Sequence, residues 1–178
     1  MAIQTINFCA ILCLKIFRMQ TASITEIKRA LQYSESDNRL EFLLRLARFK
    51  KENKELLHYL LFEAEDENRF IERVNSDISI GLESIPVTTP YREKKAVQAV
   101  LRLANRQIKY SGKPATKVEI LLHFCRELKG FRAYTKGNTQ IVKTFESQLK
   151  KIESEIPKLH PDLQYDYEVA LKKVLSDF

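Results

Sequence analysis

The chain has 178 residues, 44% of them hydrophobic and 30% charged, with a formal net charge of +7. That length and balance suffice for one domain with a proper core and exclude a wholly disordered chain. Three cysteines, an odd number, make no disulfide framework and fit a reducing, cytoplasmic setting.

Residues 1–18 are apolar at thirteen positions, yet the unbroken apolar run covers only residues 8–14. A bilayer crossing needs ~20, so no membrane span is expected. Lys15 and Arg18 follow the apolar stretch, whereas a signal peptide puts positive charge before it. Three readings stand: a docked N-terminal helix, a weak membrane-proximal anchor, or a mis-called start with initiation at Met19. The last is favoured, because MQTASITEIKRAL opens like a protein with a capped helix. Residues 19–178 are then expected to form a single helical domain.

Four Gly and five Pro punctuate the chain, and all but Gly81 fall where a helical pattern stops. Helices end near Gly and restart at Pro for reasons of backbone geometry. Ser23 with Glu26 predicts a capping box that opens a helix through about Tyr33. A second helix, over about 37–51, is apolar nearly all round and is expected to be central. Asn53 is expected to cap a third, with Leu57, Leu60, Leu61 and Ala64 facing inward. A fourth carries Phe70, Ile71, Val74, Ile78 and Leu82. The fifth spans 91–110 and the sixth 114–129. The seventh aligns Ile141, Phe145, Leu149, Ile152 and Ile156; the eighth, from Pro161, aligns Leu163, Tyr167, Ala170, Val174 and Phe178. No stretch alternates as a strand does. The expected fold is all-α, with seven or eight helices in antiparallel hairpins, as a compact bundle or a short HEAT-like stack.

The stretches LLRLARFKKENKELLHYLLFE at 43–63 and DLQYDYE at 162–168 resemble a group of small uncharacterised bacterial all-helical proteins. The resemblance covers a minor part of the chain. It implies a helical fold and no particular chemistry.

Between residues 92 and 151 fifteen Lys and Arg stand against four Asp and Glu. At 100° per residue, Arg92, Lys95, Arg102, Arg106 and Lys109 fall within about a 100° sector of the fifth helix, with no acid among them. Lys113 and Lys117 adjoin. A polar helix face is usually just solvated, but such a face normally mixes signs to gain i,i+4 pairs. A face of one sign is suited to an anionic partner. Tyr91, Tyr110, Phe131 and Tyr134 interleave with the cations and are candidates for base stacking, although aromatics more often cover a core edge.

Metal and catalytic patterns are weak. Glu55 with His58 has the spacing of carboxylate-bridged di-iron bundles, but Glu119 with His123 does not match it. No metal and no cofactor is expected. His58 and His123 read as surface residues, His160 as a cap before Pro161, and Cys125 as a buried hydrophobe. Residues 111–114 (SGKP) lack the glycine and hydroxyl pattern of a phosphate loop and read as a turn. The first expectation is therefore a non-enzymatic binding or scaffold protein whose basic face meets an anionic macromolecule, nucleic acid first. One alternative is a protein–protein module whose basic face meets an acidic protein surface, either that of another protein or the acidic stretch 63–83 of a second copy in a homo-oligomer. Another is an enzyme with an unrecognised pocket.

Overall fold

The computed structural model describes residues 21–176, and among these it holds nine α-helices and no strand. The chain divides into two units, Met1–Lys50 and Lys51–Phe178. The expectations for residues 1–18 and for Phe178 lie outside the described residues.

The first unit contributes α1 (Ile24–Tyr33) and α2 (Ser36–Phe49). Ser23 and Glu26 form the expected capping box. The Ser23 hydroxyl accepts from the Glu26 N–H, and the Ser23 N–H donates to the Glu26 carboxylate at 2.7 Å. Helix α2 corrects the sequence reading. It forms, but none of its residues is buried, and Leu40, Phe42, Leu43, Leu44, Leu46 and Phe49 are 42 to 76% exposed.

The second unit is a compact helical bundle. Its helices are α3 (Lys51–His58), α4 (Glu67–Glu83), α5 (Pro90–Ser111), α6 (Pro114–Gly130), the short α7 (Arg132–Thr135), α8 (Thr139–Glu155) and α9 (Pro161–Ser176). Helix α6 occupies the centre and packs against α4, α5, α8 and α9. In a solenoid each repeat touches only its neighbours, so one helix meeting four others is the bundle arrangement. Val118, Ile120, Leu121, Phe124, Cys125 and Leu128 of α6 are all fully enclosed. Burial pushes the Cys125 thiol up to about 12, which leaves it an inert core residue.

The fourth expected stripe holds at all five positions, Phe70, Ile71, Val74, Ile78 and Leu82. Gly81 lies inside α4 because α5 comes close there. A Cβ at Gly81 would stand 3.1 Å from a Val100 methyl. Gly112 takes φ 66° where α5 ends, the left-handed conformation that closes a helix and that glycine adopts without strain. Helix α7 is an additional element that the sequence reading passed over.

Helix α3 departs from expectation in a way that matters. It begins at Lys51, so Asn53 lies inside it rather than at its cap. It ends in a π turn, Tyr59–Glu63, closed by the Ala64 N–H donating to the Tyr59 carbonyl at 2.9 Å. The wider turn rotates the inward side. Tyr59 is the buried residue, with its ring edge-on to Phe70 at 4.7 Å, while Leu60 and Leu61 face outward.

Candidate anion-binding face

Helix α5 is flanked by α4 and α6, so both its sides are partly covered. Val97, Ala104 and Ile108 point into the core. The side chains left exposed on the outer line are Arg92, Lys95, Ala99, Arg102 and Lys109. This outer line runs almost straight along the axis, because steps of three and four residues return to one side of a helix. Four of the seven expected contact residues therefore sit here, and none of the four has an acid partner among the described residues.

The other three are held by carboxylates. Arg106 lies 3.2 Å from Glu55 of α3. Lys113 donates to Glu67 at 2.6 Å, and Lys117 to Glu155 at 2.7 Å. A salt-bridged side chain offers less to an external anion, since its charge is already compensated. Several other cations of the basic stretch are structural too. The Arg132 guanidinium donates to the Ile85 and Pro86 carbonyls and to Glu93, so it fixes the 85–90 connection, and it covers the Phe131 ring at 4.8 Å. Lys129 donates to the Val174 carbonyl at the end of α9, where a cation also suits the helix dipole. Glu93 is buried beside Arg132.

Of the four aromatics that were candidates for stacking, only Tyr91 is exposed, at 73%. Tyr110 donates its hydroxyl to Glu55 at 2.9 Å, and burial together with that carboxylate pushes its phenol up to about 12. Phe131 is buried, and Tyr134 packs on Phe145 with ring centres 5.1 Å apart. The line thus presents charge with a single flat ring at one end.

The acidic stretch 63–83 is largely occupied. Glu63 receives both Nε and Nη2 of Arg73, at 2.7 and 2.9 Å, and Asp77 receives Nη1. Asp66 caps α4 by accepting from the Arg69 N–H. Glu67 gathers four donors: the Tyr59, Ser111 and Thr116 hydroxyls and the Lys113 ammonium. Burial pushes the Glu67 carboxyl up, but these bonds outweigh it and hold the group at about 2. The cluster ties α3, the start of α4, the end of α5 and the start of α6 to one point.

A second polar contact went unseen in the sequence. The hydroxyl of Ser79 on α4 lies 2.9 Å from Nε2 of His123 on α6. His123 is therefore not a free surface residue, and burial lowers its pKa from the usual value. A serine–histidine pair invites comparison with hydrolases. However, a nucleophilic serine needs N–H groups aimed at a developing oxyanion, and amides in a helix interior are already bonded to carbonyls one turn back. Ser79 lies in mid-helix, so the pair reads as a clip between α4 and α6. Its partner was 44 residues away in sequence, which no local pattern reveals.

A cavity of about 650 Å³ lies beside α3, lined by Lys51, Lys54, Glu55, His58, Glu63, Arg73 and Gln107. Both of its acids are committed, Glu63 to Arg73 and Glu55 to Arg106 and Tyr110. Among the described residues no group of three or more His, Cys, Asp and Glu is placed to hold a metal ion, and no helix is long and apolar enough to cross a membrane. Comparison of the chain with protein-family models, curated proteins and solved structures finds no match.

Proposed function

We propose that the protein is a non-enzymatic binding protein whose α5 face contacts the phosphates of a nucleic acid. The observation that supports this is the outer line of α5: Arg92, Lys95, Arg102 and Lys109, all exposed and of one sign, without acid partners among the described residues. Lys95, Arg102 and Lys109 are seven residues apart, roughly 10 Å per step at 1.5 Å rise per residue. Such a row of cations is suited to the regularly spaced charges of a phosphate backbone, and it carries no Asn or Gln to read adenine and no acid to read cytosine. Phosphate contacts position a protein without sequence information. With Tyr110, Phe131 and Tyr134 committed elsewhere, base stacking has little to offer.

The test is a salt titration of binding to a short DNA duplex. Four phosphate contacts predict a log–log slope of roughly −3 to −4, since each contributes about −0.9. Reversing three charges (Lys95→Glu, Arg102→Glu, Lys109→Glu) is expected to abolish binding while leaving the helical circular dichroism unchanged. Arg106 is left out of the variant, because a glutamate there would face Glu55 and disturb the fold as well. Undiminished affinity and slope in the triple variant would exclude this face as the contact.

A further inference from the structure

Helices α1 and α2 have 10 and 14 residues, and in water helices shorter than ~12–15 residues are marginal without apolar packing. Yet neither has a buried residue. On a helical wheel the seven apolar side chains of α2 spread over about 220°, whereas a surface helix of a globular protein needs a stripe of about 100°. A helix written this way is built for two neighbours. One edge of the arc is Leu40, Leu44 and Ala47, and it is bordered by Asp37, Glu41, Arg45 and Arg48.

We propose that α2 pairs antiparallel with α2 of a second copy of this chain, through Leu40, Leu44 and Ala47. The order of the charges selects this occupant. Asp37 and Glu41 fall in the first half of α2, and Arg45 and Arg48 in the second. That order complements the helix dipole in a single copy. Around a two-fold axis near Leu43 it also sets Asp37 beside the other copy's Arg48, and Glu41 beside its Arg45. A parallel pair would align like charges. The surface is self-complementary in both apolar and charged parts, which is what an isologous two-fold contact requires, and flanking charges are what fix polarity in paired helices. The pairing uses no residue of α5, so it is independent of the nucleic-acid reading.

Sedimentation equilibrium of the full chain, over micromolar to submillimolar concentration, measures it. Wild-type protein is expected to reach twice the chain mass. Two charge variants give the decisive arm: an acidic one (Arg45→Glu, Arg48→Glu) and a basic one (Asp37→Arg, Glu41→Arg). Each alone should dissociate at least tenfold more readily, and an equimolar mixture should recover the dimer. Equal helical circular dichroism in all three proteins checks that the substitutions leave the chain folded. A wild-type chain that stays monomeric overturns the proposal. So does a dimer indifferent to both variants, or a mixture that stays apart. Two further results overturn it by naming another occupant: a monomer that dimerises only when residues 1–18 are removed, or a monomer that binds anionic lipid vesicles through α2.

Discussion

Replacing Glu67 by glutamine is expected to lower stability by about 3 kcal/mol at neutral pH, and the loss should fade in acid. The carboxylate accepts from three hydroxyls and from the Lys113 ammonium, and an ionised acceptor roughly doubles the strength of each bond. Glutamine has the same shape but offers one oxygen and one NH2. With the NH2 turned to Tyr59 and Lys113, the ammonium meets a donor. With it turned to Ser111 and Thr116, the hydroxyls can rotate to accept, but every bond then runs to a neutral group and the Lys113 ammonium has lost its counter-ion. The folded-state pKa of about 2, against an ordinary 4.5, makes the contribution depend on pH. A depressed carboxyl stabilises fully above its unfolded value and loses that stabilisation as pH falls through the interval from about 4.5 to 2. A shift of that size corresponds to roughly 3 kcal/mol. Urea unfolding of wild type and variant at pH 7 and pH 3 reads the difference. A gap of the same size at both pH values would mean that the ionised carboxylate is not what holds the cluster.

Phe124→Ala should cost more, about 3–5 kcal/mol, the range for emptying a fully buried phenylalanine site. Phe124 is completely enclosed at the middle of α6, the helix on which α4, α5, α8 and α9 all pack. No single neighbour can close the cavity without losing contact elsewhere. The melting temperature should fall by roughly 10–15 °C. Phe42→Ala on α2 is the informative contrast. Its ring is 47% exposed, so truncation there should change the melting temperature of a dilute sample little. A large fall for Phe42, or a small one for Phe124, would misplace the core.

The two phenylalanines also show how far the sequence can be read. Apolar spacing located the helices, and it found the buried stripes of α4 and α8 because those helices present one face to the bundle. It failed on which helix is central. Helix α2 is the more continuously apolar stretch and was expected inside, whereas α6 carries Lys117, His123 and Lys129 among its hydrophobes. Those polar residues are compatible with the centre because each reaches a partner on another helix: Glu155, Ser79 and the Val174 carbonyl. The partners lie 38 to 45 residues away in sequence, beyond any periodic signal. The candidate face was legible to a similar depth. Helical spacing put Arg92, Lys95, Arg102 and Lys109 outward, but it did not show that Arg106, Lys113 and Lys117 would be claimed by Glu55, Glu67 and Glu155.

The π turn at the end of α3 has a consequence for chain length. A turn closed between Tyr59 and Ala64 holds one residue more than an α-turn would. If Leu61, which faces outward, is deleted, the same carbonyl and the same N–H can meet across an ordinary α-turn. Tyr59 then keeps its bond to Glu67, and Glu63 its bonds to Arg73. Removing Leu122 from α6 instead would rotate half of a fully packed helix by about 100°. Thermal unfolding should find the first deletion tolerated and the second ruinous. The surplus residue thus marks a place where the gene can lose a codon without the bundle having to be rebuilt.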